Sequence, residues 1–211
     1  MRTVTVTGDP LTVDDVVDVA LGRARAVLGQ DVPARMRASL DVVTAAIHGP
    51  HAVYGVNTGF GALADTRVGE PDLATLQRAI VMSHAAAVGE PLDNMTVRAV
   101  LLLRARTLAA GYSGVRPDLP ARLIEMLNLG LLPVIPGKGS VGASGDLAQL
   151  AHLAQSLIGE GRLRGPDDEP GGRPAGEVLA EQGIEPLVLA PKEGDSPVNP
   201  RLASANPFRG N

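Results

Sequence analysis

Cysteine and tryptophan are both absent from the 211-residue chain. The missing thiols exclude disulfides, thiolate zinc sites and cysteine nucleophiles in one step. No basic stripe is present either: 19 lysines and arginines stand against 23 aspartates and glutamates, with the signs interspersed and a formal charge of −4. Such a balance argues against a nucleic-acid partner. No apolar run approaches the roughly 18 residues of a membrane span, and Met1-Arg2-Thr3-Val4-Thr5-Val6-Thr7 lacks the apolar core of a signal peptide. The expectation is a cytoplasmic protein with no membrane partner. Aromatic residues are scarce, two tyrosines and two phenylalanines, yet Tyr54 and Phe60 fall together in one glycine-rich segment. That clustering points to a specialised loop.

What remains is ordinary globular material, 45% apolar and 20% charged, with 25 glycines and 17 prolines that call for many tight turns. Val4 and Val6 alternate with threonines and predict a short first strand. The period then becomes helical. Thr12 is a candidate N-cap for a helix carrying Val13, Val16, Val17, Ala20, Leu21 and Ala24, with Gly29 at its stop. Met36, Leu40, Val43 and Ile47 mark a second helix ended by Gly49-Pro50. A third carries Leu73, Leu76, Ile80, His84 and Ala87; a fourth begins near Thr96 with Val97, Leu101, Arg104 and Leu108. Asp118 opens a fifth that stops at Gly130, and Asp146 a sixth that stops at Gly159. Residues 160–173 read as an exposed polar loop, followed by a short helix between Pro174 and Gly183. The fold class expected is mainly α, with few short strands. From Asp195 onward three prolines and no apolar period predict a disordered, divergent tail over 195–211 after a domain spanning 1–194.

Three segments carry chemistry. Gly137-Lys138-Gly139-Ser140-Val141-Gly142 matches the G-x-G-x-x-G of dinucleotide loops, but Pro133 and Pro136 interrupt the strand that such a loop needs before it. His48 and His51 form an H-x-x-H pair, but Gly49-Pro50 breaks the helix that would align them as metal ligands, so no metal is assigned. Ala143-Ser144-Gly145 precedes Asp146, and a plain reading makes it a helix entry with Asp146 as cap. A chemical reading uses all three residues. If the backbone bends so that the Gly145 nitrogen reaches the Ala143 carbonyl, ring closure with loss of water gives an imidazolone. Dehydration of Ser144 then leaves an exocyclic methylidene, an electrophile built from the chain itself.

The run GSVGASGDLAQLAHL (139–153) resembles the signature of the aromatic amino acid ammonia-lyases that use a methylidene-imidazolone (MIO) group. Tyr54-Gly55-Val56-Asn57-Thr58-Gly59-Phe60-Gly61 resembles the same family's catalytic tyrosine loop. The likeness extends from about residue 12 to Gly194, and the Ser83-His84 pair resembles the histidine-specific branch. Phenylalanine enzymes tend to carry Phe-Leu there and tyrosine enzymes His-Leu.

The resemblance implies the N-terminal part of the ammonia-lyase (fumarase/aspartase-like) fold and elimination of ammonia from L-histidine to give trans-urocanate. It makes Ala143, Ser144 and Gly145 the source of the MIO group, with no external cofactor. Tyr54 becomes a catalytic acid or base, His84 the residue facing the substrate ring, and Asn57 with its neighbouring glycines a shaper of the loop. Asn199 falls where the family has an asparagine against the MIO group. Family members are homotetramers whose sites are assembled from several subunits. They are also much longer than this chain, with a second tyrosine and a carboxylate-binding arginine further along. After Lys192-Glu193-Gly194 the text departs from the family's L-A-L-x-N-G-T. The expectation is therefore an N-terminal portion whose tail is altered by truncation or frameshift. Its alternatives are a non-catalytic remnant or accessory subunit, or a tyrosine or phenylalanine lyase or aminomutase.

Overall fold

The computed structural model describes residues 1–59, 65–139 and 147–194. Its first unit is a parallel pair, β1 (Arg2–Val6) beside β2 (Ala24–Leu28), joined by a crossover helix α1 (Val13–Ala20). Thr12 caps α1 as expected. Its hydroxyl accepts from the Asp15 N–H at 3.1 Å while the Asp15 carboxylate accepts from the Thr12 N–H at 3.0 Å, a reciprocal capping box.

The helix predicted to continue through Ala24 to Gly29 instead ends at Ala20, and Ala24–Leu28 forms a strand. Arg23-Ala24-Arg25-Ala26-Val27 also has a period of two. With β1 available as partner, pairing that buries Ala24 and Ala26 overrides the helical preference of alanine and arginine. The side chain of Asn128 then acts on the open side of β2 like one more peptide unit. It accepts from the Ala26 N–H at 3.1 Å and donates to the Ala26 carbonyl at 2.8 Å.

The main core lies between α4 (Asn94–Ala109) and α5 (Asp118–Leu129), where Leu101, Leu102, Leu108, Leu119, Leu123, Met126 and Leu127 are all but sealed from solvent. Asp93 caps α4, its carboxylate accepting from the Thr96 N–H at 2.7 Å. α5 closes in a Schellman turn at Gly130, with the Leu131 N–H on the Met126 carbonyl at 2.9 Å. Arg98, in the second turn of α4, ties three helices together. Its Nε donates to the Val19 carbonyl and its Nη1 to the Leu127 carbonyl, each at 3.1 Å, so one guanidinium satisfies the C-terminal ends of both α1 and α5.

α2 (Val32–His48) follows β2 and ends at Gly49-Pro50, as its sequence predicts. The stretch 160–173, read as an exposed loop, holds a strand. β6 (Arg162–Arg164) lies between β4 (Leu132–Pro133) and β7 (Arg173–Pro174), and Leu163 is fully buried. A single apolar residue in a polar run leaves no periodicity to detect, and the ladder forms through backbone pairing alone. α7 (Ala175–Glu181) ends the regular structure before residue 194.

A second, smaller cluster organises the region of interest. α3 (Leu73–His84) packs on α6 (Leu147–Leu157), with Val81 against Ala151, Ala154 and Leu189. The two alanines let the helices approach closely. Ala85, just past the end of α3, and Leu147, at the start of α6, both pack against the same cluster. Between them run β3 (Val88–Pro91) and β5 (Pro136–Lys138), paired antiparallel. This pairing also settles the G-x-G-x-x-G segment: it leaves a short antiparallel strand, not the buried parallel strand of a dinucleotide fold. No helix among the described residues is long and apolar enough to cross a membrane.

Candidate active site

Three sequence segments converge on the α3–α6 junction. The first is Ser83-His84 at the C-terminal end of α3. His84 is half-buried, and its Nδ1 lies 2.7 Å from the Ile80 carbonyl oxygen one turn back. A carbonyl can only accept, so Nδ1 carries the proton, and the tautomer this selects has its lone pair on Nε2. Ser83 braces this arrangement: its hydroxyl donates to the same Ile80 carbonyl at 3.0 Å and sits 3.1 Å from Nδ1. The orientation of the ring is thus fixed by its own helix.

The second segment is the strand that leads into residues 140–146. Lys138 pairs with Val88, and Gly139 follows at φ +153, pressed onto the backbone of Ala87. A side chain at 139 would place its Cβ 2.7 Å from the Ala87 Cα, a contact that no L-residue tolerates. Ala143, Ser144, Gly145 and Asp146 themselves lie outside the described residues. The residues before them follow β5, which pairs with β3, and those after them begin α6, whose apolar side packs on α3.

The third segment is the hook at 188–194. Glu193 is fully buried and accepts from the Arg116 Nε at 2.9 Å, the Arg116 Nη2 at 2.8 Å, the Arg116 N–H at 3.0 Å and the Ala190 N–H at 2.7 Å. The carboxylate holds the Arg116 guanidinium more firmly protonated than a free arginine. The next residue, Gly194, donates its N–H to the buried Gln77 Oε1 on α3 at 2.8 Å. The chain is therefore fastened to α3 at the last described residue. Asn199, five positions on, lies outside the described residues.

Tyr54 belongs to a different element. It is 52% exposed, on the loop that follows α2. That loop is organised by Asn57, only 1% exposed, as the sequence reading expected. The Asn57 Oδ1 accepts from the Val53 N–H at 2.7 Å, and Nδ2 donates to the Ala46 and His51 carbonyls at 3.1 and 3.0 Å. The backbone then closes on the far side of residues 60–64, where the Val68 N–H meets the Asn57 carbonyl at 2.9 Å and Thr58 bridges to Arg67. These bonds fasten the tyrosine loop to the end of α2, while His84 and the flanks of 140–146 gather on α3 and α6.

Two residues that sequence reasoning passed over sit in this region. Gln77, on the helical stripe between Leu73 and Ile80, could have been flagged as a polar residue on an apolar face. His152, inside the AHL of the long motif, has an Nε2 sealed from solvent with no hydrogen-bond partner among the described residues. Burial pushes its pKa below the usual imidazole range, against the opposing pull of the Ala87 backbone and the Gln155 side chain.

The aromatic amino acid lyase family model matches residues 11–204. Among curated relatives, the chain is 48% identical over 209 residues to a histidine ammonia-lyase of Anaeromyxobacter sp. (strain K), covering 97% of this chain and 41% of that protein. Among solved structures, a tyrosine aminomutase from Streptomyces globisporus superposes with a TM-score of 0.84 at 37% identity, over 93% of this chain and 36% of its own. The histidine ammonia-lyase from Trypanosoma cruzi gives the same TM-score of 0.84 at 35% identity, over 94% and 38% respectively. The chain spans about two fifths of the length of these relatives. On motif, sequence and fold together, the chain belongs to the aromatic amino acid lyase family.

Proposed function

We propose that this chain provides the N-terminal part of a histidine ammonia-lyase, which eliminates ammonia from L-histidine to give trans-urocanate. The observation that carries the reading is the 48% identity over 209 residues to a histidine ammonia-lyase, joined to the orientation of His84. With its proton held on Nδ1, His84 offers Nε2 as an acceptor, matched to the N–H of a substrate imidazole. A phenylalanine ring has no such donor and would leave that acceptor unsatisfied.

Ala143, Ser144 and Gly145 are the proposed source of the MIO group, and the chain's domain is proposed to span 1–194 with 195–211 as a divergent tail. Once formed, the group supplies an electrophile toward the substrate amine that no external cofactor need provide. The chain's own residues divide the remaining work. His84 holds the substrate ring, Tyr54 takes the weakly acidic β-proton, and Asn199 contacts the ring-closed segment. Tyr54, half exposed on a loop anchored to α2, fits a site completed by association of several copies, a homotetramer in the family. A cytoplasmic setting suits a soluble amino-acid substrate.

Intact mass of the purified chain tests the reading, with Ser144→Ala as control. Loss of two waters, roughly 36 Da, localised to 143–145 is the expected result. Formation of trans-urocanate from L-histidine, set against L-tyrosine and L-phenylalanine, tests the substrate. An unmodified mass together with no urocanate overturns the proposal for this chain.

A further inference from the structure

His84 is held by its own helix, so the place of its ring is decided by the place of α3. The bond from Nδ1 to the Ile80 carbonyl at 2.7 Å ties the ring to the backbone one turn back, and the Ser83 hydroxyl shares that carbonyl at 3.0 Å. Slippage of α3 by one residue would therefore carry Nε2 along by about 1.5 Å, enough to break a hydrogen bond to a bound ring. Packing on α6 resists such slippage only weakly, because Val81 meets the small side chains of Ala151 and Ala154. Two polar contacts join α3 to α6 and the turn after it. Arg78 pairs with Glu160 at the surface, and Gln155 donates to the Met82 sulfur at 3.4 Å. An exposed ion pair contributes little, and a thioether is a weak acceptor.

Gln77 supplies a firmer reference. It lies seven positions before His84, two turns back on the same face of α3, and is 1% exposed on the apolar stripe between Leu73 and Ile80. Its Oε1 accepts from the Gly194 N–H at 2.8 Å. Gly194 also sits so close to α3 that a Cβ there would fall 2.4 Å from the Gln77 carbonyl oxygen. The hook that ends at Gly194 is in turn referred to the main core. Leu189 packs into the α3–α6 cluster, and the buried Glu193 accepts from the Arg116 Nε at 2.9 Å and the Arg116 N–H at 3.0 Å, two residues before α5. A series of contacts thus runs from the start of α5 through Glu193, Gly194 and Gln77 to the helix that carries His84. An apolar side chain would serve packing at 77, whereas a hydrogen-bonded amide in an apolar interface selects one register.

We propose that Gln77 is a positioning residue that fixes the register of α3 against the 188–194 hook and thereby places the His84 Nε2 where a substrate ring meets it. The inference rests on the reading of His84 as the ring acceptor for its chemical consequence, while the register itself is measured without turnover.

The test compares the full chain with Gln77→Met, which keeps the length of the side chain but loses the acceptor, and Gln77→Glu, which keeps an acceptor oxygen. Three readouts are taken. They are hydrogen exchange in a peptide covering 73–84 against references from α4 and α5, the His84 ring signals of isotope-labelled histidine, and kcat/KM for urocanate formation from L-histidine. With four histidines in the chain, the ring signals are assignable by single substitutions. For Gln77→Met the expected result is about tenfold faster exchange at 73–84 with α4 and α5 unchanged, displaced His84 signals, and about tenfold lower kcat/KM. Gln77→Glu restores exchange and turnover to within about threefold. In a His84→Leu background, Gln77→Met costs less than about twofold more, because a residue that acts through His84 has nothing left to place. If the methionine disrupts α4 and α5 as well, Gly194→Ala carries the same comparison, since it pushes the hook off Gln77 without altering α3. Unchanged exchange at 73–84 overturns the tie. Faster exchange with unmoved His84 signals, or a full tenfold loss in the His84→Leu background, overturns the positioning role. A wild-type chain that forms no urocanate overturns the histidine reading instead, and exchange with the ring signals still decides whether Gln77 places His84.

Discussion

Asn57 offers the most direct measure of how the tyrosine loop is held. Replacing it by alanine removes three hydrogen bonds, to the Val53 N–H and to the Ala46 and His51 carbonyls, from a side chain only 1% exposed. At about 1 kcal/mol net for each bond the loss is about 3 kcal/mol. Leaving the partners unsatisfied would add to this in a sealed core, but His51 is exposed and Val53 and Ala46 are partly so, and water reclaims part of the cost. An opening free energy lower by about 2–3 kcal/mol is therefore expected, equivalent to roughly 30- to 150-fold faster exchange or proteolysis at 46–59. The assay is hydrogen exchange on peptides from that segment, with the α4–α5 core as internal reference. Asn57→Asp supplies a signed control. Its carboxylate keeps the Val53 bond but turns charge toward two carbonyl oxygens, so its folded-state pKa rises above the unfolded value of about 3.9. Relative to wild type, that variant is least perturbed below pH ~4 and loses stability as pH rises through the raised pKa. Exchange at 46–59 within twofold of wild type in Asn57→Ala would refute the argument that this side chain holds the loop.

Further predictions concern the ring acceptor, the helix tie and the half-buried histidine of α6. His84→Leu is expected to lower kcat/KM for L-histidine by about ten- to a hundredfold, the worth of one buried hydrogen bond, measured by urocanate formation; unaltered turnover would place ring recognition elsewhere. Arg98→Leu removes the charged donor shared by the Val19 and Leu127 carbonyls and is expected to cost about 3 kcal/mol in urea unfolding, a change under about 0.5 kcal/mol counting against it. Because burial lowers the pKa of His152 in the folded chain from its reference of 6.5, its contribution to stability is present above pH 6.5 and lost as pH falls through that value toward the folded pKa. Melting temperatures between pH 7.5 and 5 should therefore fall more steeply for wild type than for His152→Asn, and parallel slopes would contradict the assignment.

The legible parts of the fold are those written in short-range pattern. Thr12 and Asp15 announce the start of α1, Gly49-Pro50 ends α2, and Gly130 closes α5, because caps and breakers act over one helical turn. The strand at Ala24–Leu28 is not legible in this way because its residues suit either state, and only β1, some twenty positions earlier, decides between them. Leu163 shows the same limit more sharply: a strand that buries one residue leaves no period. At the site, motif spacing named Tyr54, His84 and Ala143-Ser144-Gly145. It gave no sign that Gln77 secures Gly194, or that Glu193 pairs with Arg116 across 77 positions.

By itself, then, the sequence determined the family and the mainly helical class and named the candidate groups for chemistry, since reactivity belongs to residue types and their immediate neighbours. Tertiary structure alone decided which of them meet. The packing of Val81 on Ala151 and Ala154 joins α3, which carries His84, to α6, which follows residues 140–146 in the chain. The hydrogen bonds of Asn57 keep the tyrosine loop on α2. Such contacts join residues tens of positions apart through shape and burial, and no local spacing encodes a partner that far along the chain.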